Sequence, residues 1–284
     1  MQPGKPSQTA LGAASHRAAH QRLEHGFIFA DPLAERILCE HIDEAIRTAE
    51  ENPKRRGLRL FIAVRTRFAE DALEAAVRRG ASQLVVLGAG LDTYAYRTTR
   101  GPGLRVFEVD HPATQAWKRE QLAKASIPVP AFLTFAPVDF ERETIADGLA
   151  AAGFDPVQQT FFTWLGVVPY LSEPAVFATL EYIVRLPGGA HVVFDYGNPT
   201  LPGKDGAYSA AREELAKRVA QIGEALKTQF ESDELHARLT ALGFREIEDI
   251  GPQRIRQMYF EKRDAPASDR GGHVVRASTV PLSP

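Results

Sequence analysis

Val85-Val86-Leu87-Gly88-Ala89-Gly90-Leu91-Asp92 is the stretch whose reading decides the fold. An apolar run that passes straight into glycines reads as a buried strand ending in a tight turn. Missing side chains at Gly88 and Gly90 let a ligand approach the backbone closely, and a following helix presents unpaired N–H groups. Gly88, Ala89, Gly90 and Asp92 are therefore candidates for the floor of a binding site. Glycines alone are a weak signature. The dinucleotide fingerprint wants Gly or Ala three positions after its second Gly, whereas Thr93 stands there, with the charged Asp92 before it. A pyrophosphate would meet a carboxylate at that point. A nucleoside without phosphates, carrying a cationic sulfonium and an ammonium, suits the same loop better.

Outward from this turn the chain alternates apolar runs with helical patterns. The runs at 84–87, 104–109, 132–138, 160–165 and 190–194 read as buried strands, and helices are expected near 112–124, 141–152 and 173–186. Pro187-Gly188-Gly189 ends the last of these. A Gly- and Pro-bearing loop at 197–206 leads to helices near 207–226 and 233–242. The runs at 244–250 and 257–260 then read as an antiparallel hairpin at a sheet edge. The sum is a doubly wound, mostly parallel, seven-stranded α/β sheet of Rossmann type. Upstream, one helix over 27–47 is entered at Asp31-Pro32, and a second over 58–79 stops at Gly80, forming an N-terminal helical cap. No internal repeat or long linker appears. The expectation is one domain over 27–263, with the cap at 27–80 and an inserted lid at about 197–226. A flexible segment, 1–26, precedes it and a tail, 264–284, follows.

Composition narrows the classes. Of 284 residues, 44% are hydrophobic and 25% charged, ordinary values for a globular chain, and a formal net charge of −2 offers no field to attract nucleic acid or an anionic membrane. The single cysteine, Cys39, cannot close an internal disulfide, which fits a reducing compartment, and its apolar neighbours suggest burial. No run approaches the roughly 20 apolar residues of a membrane span, and the start lacks the apolar region of a secretory signal, so a cytoplasmic location is expected. His20, His25 and His111 have no ligand spacing, and no metal is implied. The oligomeric state is not legible.

Carboxylates at strand ends carry the next signal. The second strand ends Phe107-Glu108-Val109-Asp110, about twenty residues after the glycine turn, where an acid commonly accepts bonds from ribose hydroxyls. Asp110 is the first choice and Glu108, on the same face, the reserve; the alternative is that both merely solvate a strand end. The third strand ends at Asp139-Phe140, an acid and a ring suited to adenine, unless Asp139 caps the following helix. Trp164, ending the fourth strand, joins the candidate cofactor contacts. Tyr170, Asp195 and Tyr196, at or just past the ends of strands four and five, are candidates to orient an acceptor; Tyr170 reads equally well as packing under the cap. His191 opens the fifth strand at the opposite edge and is not expected in catalysis.

Taken in order, Arg65-Thr66-Arg67-Phe68 with Asp71, LGAGLDTYAYR over 87–97, FEVDHP over 107–112, VDF over 138–140 and FFTWLGVVPYL over 161–171 resemble the leucine carboxyl methyltransferase family. That family includes protein phosphatase carboxyl methyltransferases and bacterial natural-product O-methyltransferases. The resemblance covers roughly 27–260. It implies the seven-stranded methyltransferase sheet and S-adenosyl-L-methionine as cofactor. It further implies Arg65 on the methionine carboxylate, Gly88 beside the methionine portion, Asp110 on the ribose and Asp139-Phe140 on the adenine. One position departs: where the phosphatase enzymes carry Glu after the fourth strand, this chain has Leu165. The expected activity is methyl transfer to a carboxylate or hydroxyl of a small molecule. A protein C-terminal carboxylate is the alternative acceptor. A nicotinamide-dependent oxidoreductase and a cofactor-binding protein without turnover are the alternatives from other classes.

Overall fold

The computed structural model describes residues 7–139, 143–200, 206–221, 223–260 and 269–280. Two compact units divide the chain, Met1–Asp71 with Ser82–Asp155, and Ala72–Ala81 with Pro156–Pro284. The first begins with helix α1 (Gln8–Glu24), a 3-10 segment (Arg36–His41), α2 (Ile42–Glu51) and α3 (Arg56–Arg78), whose residues beyond Asp71 belong to the second unit. Then come β1 (Gln83–Leu87), the one-turn α4 (Tyr94–Arg97), β2 (Arg105–Asp110), α5 (Pro112–Lys124), β3 (Leu133–Pro137) and α6 (Ile145–Ala151). β1 pairs with β2 and β2 with β3, all parallel, with Leu87 opposite Val109 and Asp110 opposite Pro137. Their carboxyl ends therefore share one edge.

The second unit holds β4 (Thr160–Trp164), α7 (Glu173–Val184), β5 (Ala190–Gly197), α8 (Gly206–Gln221), α9 (Ser232–Leu242), β6 (Glu246–Ile250), α10 (Pro252–Tyr259) and β7 (Gly272–Ser278). β4 and β5 are parallel, and β7 runs antiparallel to both β5 and β6. The strand order is β3-β2-β1-β4-β5-β7-β6, the seven-stranded α/β sheet expected. Strands covered on both faces need continuous apolar runs, and every residue of β1 and of β5 is buried. Helix α5 starts at Pro112, whose missing N–H costs nothing in the first turn, and His111 Nδ1 accepts from Ala113 N at 3.1 Å.

Three expectations differ from the structure. Residues 1–26 contain α1, not only flexible chain. Its buried face is made of Ala14, Ala18 and Ala19 with Arg17, His20 and Glu24, so it packs by close approach of small side chains and shows no strong apolar stripe. The helix expected over 27–47 is interrupted, because Cys39 takes a positive φ of 49° and the ladder restarts at Ile42; Cys39 itself is only partly buried. The expected hairpin strand at 257–260 lies within or just past α10, and β6 pairs instead with β7, drawn from the segment read as a tail. Four residues, three of them apolar, are too few to separate helix from strand by period, and Pro252 in the first turn favours the helix.

Candidate functional site

β1 delivers the chain into Gly88 at φ +65° and Gly90 at φ +45°, the left-handed region that favours glycine. The turn is stitched to β2: Gly88 N and Ala89 N both donate to the Val109 carbonyl, at 2.8 and 3.1 Å, and Asp92 N donates to the Ala89 carbonyl at 2.7 Å. Asp92 Oδ1 accepts from Tyr94 N at 2.9 Å and so starts α4. Asp110 closes the arrangement, its Oδ2 accepting from Gly90 N at 2.6 Å and its Oδ1 from His111 N at 2.7 Å. A carboxylate has about four acceptor positions, so two backbone N–H groups leave room on each oxygen for a hydroxyl, and the Asp110 residue is partly exposed. Burial raises its carboxyl above the usual range, more than the bonds from Gly90 and His111 lower it.

Asp139 stands two residues past the end of β3, next to β2 in the sheet. The next described helix is capped by Thr144. That helix begins at Ile145, with Thr144 Oγ1 accepting from Asp147 N at 3.1 Å, while Asp139 N donates to Glu143 Oε2 at 3.0 Å and Glu143 N donates to the Asp139 carbonyl at 2.8 Å. Phe140 lies outside the described residues. Arg65 is a buried residue of α3 within the first unit. The glycine turn, Asp110 and Asp139 thus follow the carboxyl ends of three neighbouring parallel strands.

Glu108, the reserve acid, is spent on the interior. It is wholly buried, with Lys118 Nζ at 2.7 Å and the Tyr96 hydroxyl donating at 3.1 Å. Burial, against the pull of Lys118, pushes its carboxyl up to about 7. It shares a strand face with Asp110 but not its partial exposure.

In the second unit, Trp164 is buried at the end of β4, edge-on to Phe194 at 6.2 Å. Tyr170 ends a 3-10 turn, Val168–Tyr170, and is partly exposed. Asp195 is buried, with Oδ1 accepting from Gly166 N at 2.5 Å. Tyr196, expected from the sequence to orient an acceptor, is held in the interior of this unit. It is 2% exposed, its hydroxyl donates to Asp249 Oδ2 at 2.5 Å and lies 2.8 Å from Ser232 Oγ, and its ring stacks on His273 at 5.0 Å. Asp249 also meets His236 Nε2 at 2.7 Å and His273 Nδ1 at 2.9 Å. This cluster borders a cavity of about 390 Å³ and escaped the sequence reading, because its members come from β5, α9, β6 and β7. Only the alternation within 272–278 could have signalled the last of these. His191 is buried and bonded to Gln159 at 3.2 Å. No three His, Cys, Asp or Glu side chains among the described residues are placed to hold a metal.

Residues 10–184, well over half of the chain, match the family described as Leucine carboxyl methyltransferase. The chain belongs to the leucine carboxyl methyltransferase family. It is 30% identical, over 93% of its own length and 94% of the other, to a Bacillus subtilis protein named "Putative S-adenosyl-L-methionine-dependent methyltransferase YktD". Proteins given the same description in Frankia alni and Streptomyces coelicolor are each 35% identical, over 66% and 64% of this chain and 66% of each of theirs. The matched span contains the glycine turn, Asp110, Asp139 and Trp164, and the 272–278 strand lies beyond it. No helix among the described residues is long and apolar enough to cross a membrane.

Proposed function

We propose that this S-adenosyl-L-methionine-dependent methyltransferase transfers its methyl group to a carboxylate or hydroxyl oxygen of a small molecule. The observation that carries the cofactor assignment is Asp110: an acid at the end of β2, tied to the glycine turn through Gly90 N, with acceptor positions to spare. In this reading the ribose hydroxyls donate to Asp110, the Gly88–Gly90 backbone faces the methionine portion, Arg65 pairs with the methionine carboxylate and Asp139 accepts from the adenine amine. Each assignment matches donor to acceptor chemistry. The bound cofactor supplies an electrophilic methyl on a sulfonium, and the protein contributes alignment and exclusion of water. A carboxylate acceptor is already an anion near neutral pH and needs no base, whereas a hydroxyl must lose a proton. Tyr170 and Asp195 remain the residues proposed to orient the acceptor. Leu165, in place of the acid of the phosphatase enzymes, favours a small molecule over a protein C-terminus.

Mass spectrometry of a cell extract incubated with the protein and isotopically labelled methyl donor tests this directly. The expected result is label in one or a few small acids or phenols. Label confined to protein C-termini would overturn the acceptor, and absence of binding to S-adenosylhomocysteine by titration calorimetry would overturn the site.

A further inference from the structure

Helix α1 lies against the glycine turn on its smallest side chains. A Cβ added at Gly90 would stand 3.0 Å from Ala10 Cβ and 3.7 Å from Ala10 Cα. Leu91 is buried in one apolar cluster with Ala14 and Ala18, and at the helix start Ser7 N donates to Thr114 Oγ1 at 3.2 Å. One side chain of α1 does more than pack. Arg17, 9% exposed, donates from Nη2 to the Leu91 carbonyl at 2.5 Å. An apolar side chain would fill that space without taking a charge out of water, so packing does not explain a guanidinium there.

Asp31 supplies the counter-charge. Arg17 Nε is 3.5 Å from Asp31 Oδ2, and the Asp31 side chain has no exposure. The same carboxylate accepts from Thr93 Oγ1 at 2.7 Å and Leu33 N at 3.0 Å, with Arg97 Nε at 3.7 Å. Arg97 in turn is held by both oxygens of Glu70 on α3. Charged groups from α1, the Asp31 turn and α3 all converge on the chain that follows Gly90.

We propose that Arg17, seated by Asp31, is a positioning residue for the cofactor, acting through the Leu91 carbonyl to hold the Gly88–Asp92 turn in its ligand-receiving conformation. The inference rests on the reading that this turn and Asp110 bind the cofactor. Gly90 N is anchored to Asp110 on one side and Leu91 O to Arg17 on the other, so the backbone between them is fixed from both directions. Without Arg17 the turn keeps freedom that a ligand must remove on binding, and affinity falls. Linkage makes the effect reciprocal: a ligand on the turn holds α1 in place.

Titration calorimetry with S-adenosylhomocysteine on the full chain, together with amide exchange across 8–24, tests this. Arg17→Met keeps the aliphatic stem and is expected to weaken binding about tenfold, with Arg17→Lys recovering part of the loss. In the wild type the ligand is expected to slow exchange in α1 several-fold, and that protection is expected to vanish in Arg17→Met while β5 amides stay unchanged. A purely structural Arg17 would lower the melting temperature yet leave Kd within twofold and the protection intact, which overturns the proposal. Should Arg17→Met fail to fold, absence of ligand-induced protection of α1 in the wild type overturns it equally. Asp110→Asn separates the two levels. If it binds like wild type, the cofactor reading itself fails; if it weakens while Arg17→Met does not, only the role of Arg17 fails.

Discussion

Asp110 and Asp249 are both aspartates at or near the end of a strand, β2 in one unit and β6 in the other, and they serve opposite ends. Asp110 takes two backbone N–H groups and keeps acceptor positions open at a partly exposed edge. Asp249 takes two imidazoles and a phenol from three other elements while its side chain is 7% exposed. Their proton affinities diverge accordingly. Burial lifts the Asp110 carboxyl above its ordinary range. Burial also works to raise Asp249, but the bond and charge of His273, then Tyr196 and His236, hold it below. A strand-end acid is a ligand contact only when the protein has not already filled its lone pairs. Residue type and position alone do not distinguish the two.

The largest effect that would sharpen this contrast comes from Asp249→Ala. It leaves the buried His273 ring, the partly exposed His236 ring and the buried Tyr196 hydroxyl without their shared acceptor and is expected to cost about 3–5 kcal/mol in urea unfolding. Affinity for S-adenosylhomocysteine should stay within twofold; a loss of affinity would break the distinction. Asp110→Asn is expected to do the reverse, weakening that ligand roughly 10- to 100-fold by calorimetry, the scale of losing about 1.5–3 kcal/mol of hydrogen bonds to a charge, with a smaller change in melting temperature. Gly90→Ala should cost about 1–2 kcal/mol, because alanine resists a positive φ and its Cβ would crowd Ala10. An unchanged melting temperature would show that α1 yields there.

The smallest effect is a slope with pH. His273 is raised above its ordinary 6.5, since burial, which would lower it, is outweighed by the bond and charge of Asp249. Its stabilising share is therefore complete below pH 6.5 and is lost as pH climbs through the folded value. Asp249 is lowered from 3.8, so its share is present above that pH and lost as pH falls through the folded value. His191 has the opposite sign to His273. Burial first, then Arg276 and Arg79, brings it down to about 4, and its penalty grows as pH falls from 6.5 toward that value. The stability difference between wild type and His273→Asn is expected to be greatest between about pH 4 and 6.5 and to shrink above. A difference that widens above pH 7 would contradict the pairing.

Much of this was legible before any fold was known. The first five strands and most of the helices between them fall within a few residues of their expected places, because a strand covered on both faces must be a continuous apolar run. The glycine turn and Asp110 were legible for the same reason: both interrupt such runs at their ends. Helix α1 was not, since alanines pack by proximity and leave little periodic signal. β7 was hidden because a short run holding His273 and Arg276 looks solvated until Asp249 and Glu248 are beside it.

By itself, then, the sequence determined the alternation of strand and helix, the glycine turn and the family, all of which depend on neighbours along the chain. Only the tertiary structure decided which acids the protein consumes. Glu108 finds Lys118 and Tyr96, and Tyr196 finds Asp249, across turns of chain that no local pattern spans. It likewise brought Arg17 to the Leu91 carbonyl from 74 residues away. Burial removes water as a competing partner, so a buried polar group must be met by another from the protein, and which one is near enough is settled by packing.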